Sequence, residues 1–351
     1  MQQQKNGVYV VSYGAATSLG ESAAATAAAV RAGIMGFKEH PFAIDENADP
    51  CIVAMAPYLP PDAALQDRLA SLAELAVRET LEQLKLPWKE TVKPVLCLGL
   101  PSNKPGLPAD LETLIPNLLS RFTTFSSTKV YSSGHAAGLL ALREAYDQLS
   151  RQDHSLCLVG GVDSYFATET LHWIEENEQL HKSDNAWGFV PGEAAGFCLL
   201  ASGDFCERQQ IKPLAQVLHV ASAQEPNRIK TETVCTGQGL TQAFRQALRA
   251  LPNNNKVDFS ICDMNGEAYR ADEFGFTLAR TTRSFVDATS FLSPADCWGD
   301  VGAASGPLYV MLAATAAKKK YAIGPHTLVW ASSETGERLA ALLATDFTPQ
   351  G

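Results

Sequence analysis

Short unbroken apolar runs alternate with amphipathic stretches along the whole chain. The first run, residues 7–14 (GVYVVSYG), predicts a buried strand. The turn GAATSLG then leads into an Ala-rich helix over about 21–32, stopped at Gly33. Residues 64–85 carry apolar positions at helical spacing and predict an amphipathic helix, with Pro87 closing the segment. The apolar run at 92–101 (VKPVLCLGLP) predicts a strand buried on both faces. A helix over about 108–121 and a β-prone stretch at 123–132 follow, then a turn and a long helix in SSGHAAGLLALREAYDQL. Residues 155–162 (SLCLVGGV) predict a central strand, and GFVPGEAAGFCLLAS a Gly-rich bend entering another.

From about residue 211 the pattern restarts. A strand (LAQVLHVAS), a helix (237–251), a buried strand (VDFSICDMNG) and a helix (268–281) lead to the Gly-rich turn WGDVGAASG. That turn opens an apolar helix over 306–316, and the strand HTLVWASS and the segment LAALLA finish the chain. Buried strands alternating with helices imply an α/β architecture with right-handed crossovers. No Pro/Ser-rich linker separates the halves, so they are expected to pack as one body, with 1–205 and 206–351 as the units.

Composition narrows the classes of function. With 46% hydrophobic and 19% charged residues in 351, the chain has the balance of a globular protein. No apolar run approaches the roughly 18 residues of a membrane span, and MQQQKNGVYVVSYG lacks a signal-peptide layout, so a cytoplasmic location is expected. The net charge of −10 argues against a nucleic-acid partner. Lys318–Lys320 is one local basic run, read as a solvated helix end, with docking of an acidic partner as the alternative. The eight cysteines form no CxxC pair, and the histidines at 40, 154, 172, 181, 219 and 326 have no metal-ligand spacing. Neither a metal nor a cofactor is expected.

Four segments, in order, resemble the β-ketoacyl synthase family. VSYGAATSLGESAAATAAAVRAGIMGF resembles its opening turn and helix, and SSGHAAGLLAL its nucleophile elbow "TACAAG--A". CLVGGVDSY is similar to its "-VGG-D" strand and turn, and GFVPGEAAGFCLLAS to its "GFV-GEGAG--LL" hairpin. Together these cover residues 7–201. In the second half, FSICDMNGEAYRADEFGFTLAR stands where the family has "HGTGT--GD--E", and CWGDVGAASGPLYVMLAA where it has "GH--GAAG". The resemblance implies a thiolase-like fold of two similar βαβαβαββ halves, packed as a layered α-β-α-β-α body with the elbow at 132–138. It also implies a homodimer or ketosynthase-like heterodimer through the strand before the elbow, and an acyl carrier protein as a further partner.

The residues that run condensation in the family are absent from their places. A Cys at the elbow gains thiolate character from the helix N-terminus, and two His side chains meet the thioester carbonyl and support decarboxylation. Here the resemblance places His135 at the Cys position, Asn265 at the first His and Asp300 at the second. Glu267 is a further acid or base candidate. Gly134, Ala136, Gly299 and Gly302, which flank the altered positions, and Glu334 are expected on the substrate side. Glu334 lies in SSETGER (332–338), which replaces the family's Gly/Phe-rich gating loop. Losing one oxyanion-hole donor typically costs about 3–4 kcal/mol, and an anion there opposes the reaction outright.

Three functions are therefore weighed. The first is a non-catalytic partner or accessory protein, of the chain-length-factor type or another complex component. The second is an acyltransferase or thioester hydrolase in which His135 and Asp300 form a general-base pair, with Cys262 or Cys297 as a relocated nucleophile. The third is an acyl- or CoA-binding module. Glu193, in the hairpin, is read as structural.

Overall fold

The computed structural model describes residues 7–84, 92–229, 231–252 and 255–345. Pro87, expected to close the first long helix, lies outside them. The strands are β1 (Val8–Thr17), β2 (Lys38–Ile44), β3 (Pro50–Val53), β4 (Val95–Leu100), β5 (Ser127–Ser132), β6 (Leu156–Ser164), β7 (Glu193–Ser202), β8 (Ala215–Gln224), β9 (Phe259–Cys262), β10 (Phe291–Leu292), β11 (His326–Ser332) and β12 (Glu337–Ala344). Ten of these run in one hydrogen-bonded series, β10-β9-β11-β12-β8-β1-β7-β6-β4-β5. Read outward from the middle, each half carries the same order: first strand, fifth, fourth, second, third. In each half the fifth strand, β7 or β12, is antiparallel to its neighbours, and the pairings beyond it are parallel. The halves join where β1 meets β8 through Val8–Val217, Tyr9–Gln216 and Val10–Ala215.

The layers follow from which faces are apolar. Helices Ala137–Ser150 and Ser305–Lys318 touch each other and strands of both halves, so they form the middle layer. Helices Leu65–Glu82 and Leu111–Leu119 cover the outer face of the first half, and Gln238–Leu248 and Ala268–Thr281 that of the second. A helix sandwiched between sheets must be apolar all round. Ser305–Lys318 is buried from Ser305 through Thr315. The middle helices cross at glycines: a Cβ on Gly138 would lie 2.5 Å from Pro307 Cδ, and one on Gly306 would lie 2.7 Å from the Leu139 nitrogen.

The alternation predicted most of these elements within a few residues. Not among them are the two-residue β10 and the hairpin β2–β3, whose β2 buries positions three apart; the hairpin packs on the first half beside helix Thr168–Glu176. The N-cap Ser22 accepts from the Ala25 amide, and Gly33 leaves the Ala-rich helix at φ +66°, the stop read from the sequence. Among the described residues no helix is long and apolar enough to cross a membrane.

Candidate functional site

The parallel strands of both halves end at one place, and His135, Asn265 and Asp300 meet there. β5 runs into a single 3-10 turn, Gly134–Ala136, which opens helix Ala137–Ser150, so His135 sits at a helix N-terminus. β9 ends at Cys262 and delivers Asn265. Asp300 precedes the 3-10 turn Gly302–Ala304 that opens helix Ser305–Lys318. Its backbone is pinned to the hairpin bend: its N–H donates to Val190 O at 2.7 Å and its carbonyl accepts from Gly192 at 2.8 Å.

His135 Nε2 lies 2.8 Å from Asp300 Oδ1 and 2.7 Å from Oδ2. Asp300 Oδ2 also accepts from Asn265 Nδ2 at 2.6 Å, and Oδ1 from the Gly302 amide at 2.9 Å. Asn265 Nδ2 reaches Glu267 Oε2 at 3.0 Å, and Asn265 Oδ1 accepts the Glu267 N–H at 3.1 Å. All four residues are buried. Both oxygens of Asp300 are thus occupied, and the ring nitrogen of His135 that faces the carboxylate is spent on it.

Burial by itself would lower the pKa of His135, but the adjacent Asp300 outweighs burial and raises it. Asp300 shows the reverse balance: burial pushes it up, while His135, Arg270 and Asn265 bring it well below the usual carboxylate range. Both directions favour an imidazolium paired with a carboxylate. Two helix N-termini favour the anion, which accepts an N–H from one of them. His135 occupies a helix N-terminus, which disfavours a cation, so Asp300 is what keeps the ring charged.

A ring of further charges surrounds the pair. Arg270 Nε reaches Glu267 Oε2 at 3.2 Å and its Nη1 reaches Asp263 Oδ2 at 2.7 Å. Gln179 Nε2 bridges Glu267 Oε1 at 2.8 Å and Glu334 Oε1 at 2.5 Å. Lys104 Nζ lies 2.7 Å from Asp163 Oδ1 and 3.4 Å from the centre of the Tyr165 ring, while Asp163 Oδ2 accepts the Ala303 N–H at 2.9 Å. Asp263 Oδ1, Tyr269 Oη, Arg270 Nη2 and Ser332 Oγ are buried with no protein partner among the described residues. Such groups in a folded interior take ordered water.

The expected site residues divide into two sets. His135, Asn265, Asp300 and Glu267 form one hydrogen-bonded cluster, and Glu334 joins it through Gln179. Gly134, at φ +58°, and Ala136 flank His135 in the elbow turn. Gly299 and Gly302 are points of close backbone approach. A Cβ on Gly299 would lie 2.7 Å from Val190 O, and one on Gly302 would lie 2.1 Å from Asp163 Oδ2. Cys262 and Cys297 are buried thiols whose pKa values burial raises, the opposite of an activated nucleophile. Glu193 is fully buried against Arg68, whose Nε donates to Oε2 at 3.0 Å, and it also accepts from the Ala56 N–H and Ser164 Oγ. The sequence reading missed Lys104, Asp163, Gln179 and Arg270. Position alone could have flagged Lys104: it follows a parallel strand, on the side where α/β sheets place their sites.

A thiolase-like body with its elbow at the meeting point of two helix N-termini is the framework of a ketosynthase. Residues 105–204 match the family model "Beta-ketoacyl synthase, N-terminal domain". Over 97% of its length it is similar to the ishigamide ketosynthase/chain length factor, at 22% identity and TM-score 0.71, covering 100% of that chain. It is likewise similar to the ketosynthase from module 6 of the bacillaene synthase from Bacillus subtilis 168. That match has 15% identity and TM-score 0.83, and covers 97% of this chain and 72% of that one. A third similar structure is a type II PKS acyl-carrier protein in complex with its ketosynthase bound to the hexaketide. It has 13% identity and TM-score 0.80, and covers 97% of this chain and 99% of that one. At these identities the likeness establishes the fold. No curated protein sequence matches the chain.

Proposed function

We propose that this is a ketosynthase-like protein without condensing activity, acting as a non-catalytic partner in an acyl-handling complex in the manner of a chain length factor. The observation that carries the reading is the closed His135–Asp300 ion pair at the old nucleophile position. Condensation needs a thiolate there and neutral donors toward a developing enolate. In their place stand an imidazolium already bonded to a carboxylate and an amide bonded to that same carboxylate. Around them, His135, Arg270 and Lys104 face Asp300, Glu267, Asp263, Asp163 and Glu334, a formal excess of two negative charges that opposes another anion.

The same pair weighs against an acyltransferase or hydrolase. A general base must be neutral near the operating pH, and the neighbouring Asp300 raises the pKa of His135 and so favours its protonated form. The deciding assay is thiol release from a panel of acyl-CoA and acyl-carrier-protein thioesters, with and without the malonyl extender. No release above the His135→Ala and Asp300→Ala backgrounds is expected. Release in the wild type that disappears in both variants would establish a re-tooled acyl-transfer site instead.

A two-fold assembly belongs to the same reading. β5 is the last strand of the series on its side and bonds only β4 among the described strands. An open edge beside the elbow suits pairing with the same strand of a second copy or of a ketosynthase. Light scattering should find two copies per particle, or one copy that pairs when a ketosynthase is added. A particle that stays single in both conditions would overturn the assembly.

A further inference from the structure

The middle helix Ser305–Lys318 has a second feature at its far end, roughly 15 Å along its axis from the Asp300 end. Leu312, Ala313 and Ala316 on its last turns face Ala27 and Val30 of the Ala-rich helix across a cavity of about 200 Å³. Phe259, Ile261 and Leu292 form the floor, and Tyr321–Ile323 the lip. Three of the five facing helical positions, Ala27, Ala313 and Ala316, are alanines, where larger side chains would fill the space. A dry apolar cavity of about 150 Å³ accommodates benzene, so this volume takes one aromatic ring or a short acyl tail.

The lining contains one formal charge. Arg31 stands exposed at the rim, its guanidinium carbon 4.2 Å from the centre of the Tyr321 ring. No carboxylate lines the space. Asp258, just before Phe259, spends a carboxylate oxygen on the His326 amide at 2.9 Å. Lys319 and Lys320 are exposed immediately before Tyr321, so the mouth lies in the one basic stretch of a chain of net charge −10. Lys318 is turned away, over the Tyr13 ring at 5.9 Å. An apolar interior with a guanidinium at its rim fits an amphiphilic anion, with the tail in the cavity and the head on Arg31.

We propose that this cavity is a second binding site for a small carboxylate with an aryl or short acyl tail. Its residues are distinct from those around His135, and it stands whether or not that site is silent. The probes are benzoate, octanoate and the neutral benzyl alcohol, added to the full chain and followed by saturation-transfer NMR and titration calorimetry. Benzoate and octanoate should bind saturably to the wild type. Arg31→Gln should weaken both by about fivefold, the worth of one exposed ion pair, and leave benzyl alcohol unchanged. Ala313→Leu fills the cavity and should abolish all three signals. Ala316→Leu, at a half-buried position, makes the same test if the first variant does not fold. Octanoyl-CoA in a parallel titration separates a free acid from a carried acyl group, since the CoA form should bind only if the mouth admits its larger head. No saturable carboxylate binding at millimolar concentration, or binding that survives in a folded filled variant, would overturn the proposal. So would an Arg31→Gln protein with unaltered carboxylate affinity.

Discussion

Replacing Asp300 by Ala tests the reading of the site through stability alone. The substitution strands a buried imidazole at a helix N-terminus and leaves the Gly302 amide without its acceptor. Breaking a buried ion pair by removing one partner costs about 3–5 kcal/mol. The cost should depend on pH with a defined sign. In the wild type the raised His135 pKa contributes stability that is complete below the unfolded value of about 6.5 and is lost as pH rises through the folded value. The depressed Asp300 pKa contributes stability present above about 3.8 and lost as pH falls toward its folded value. The pair therefore stabilises most between about pH 4 and 6.5. Without Asp300, burial pushes His135 downward, and the ring sheds its proton at alkaline pH at little cost. The remaining penalty is then the orphaned Gly302 amide, about 1–3 kcal/mol. Urea unfolding of both proteins at about pH 5.5 and about pH 8.5 should show the full gap at the first and a smaller one at the second. Equal gaps at both pH values, or an acid gap under about 1 kcal/mol, would refute the ion pair.

Three further outcomes follow from neighbouring geometry. Combining His135→Cys, Asn265→His and Asp300→His should create a thiol that iodoacetamide alkylates ahead of the native cysteines, because the elbow helix favours thiolate; labelling no faster than wild type, read by mass spectrometry, counts against the elbow geometry. Arg68→Met leaves Glu193 buried and unpaired, and chemical unfolding should show a loss of about 3–5 kcal/mol, whereas a loss within about 0.5 kcal/mol would make the pair dispensable. Gly302→Ala must place its Cβ against Asp163 Oδ2 at φ +45°, so it should cost at least about 1–3 kcal/mol, also in unfolding midpoint, and an unshifted midpoint would contradict that approach.

Much of the fold was legible because its signals are local. Unbroken apolar runs mark strands covered on both faces, and β6 and β7 are buried at every position. The apolar helix over 306–316 was legible as a helix, while its place between the sheets came from the resemblance. The hairpin β2–β3 was not legible, because β2 buries only His40 and Ala43, three apart, and β3 has four residues. At the site, the positions of His135, Asn265 and Asp300 came from motif register. Their mutual bonding is a fact of tertiary approach, His135 and Asp300 being 165 positions apart in the chain. Lys104 is marked only by its place after a parallel strand and Gln179 by nothing local: each is a polar residue in a loop until the fold buries it against a carboxylate or between two.

His135 and Asp300 make physical sense as a unit. A helix N-terminus facing another across a buried space is a concentration of positive potential. Asp300 supplies an anion there while accepting the Gly302 amide. An isolated carboxylate at this depth would be expensive, and His135 and Asn265 meet that cost with hydrogen bonds of 2.6–2.8 Å. Either change alone would be costly: His135 without Asp300 puts a cation against a helix dipole, and Asp300 without His135 buries an unpaired charge. The pair ties the elbow turn of the first half to the turn that opens the middle helix of the second, and that tie is why removing either partner is expected to loosen the junction of the halves.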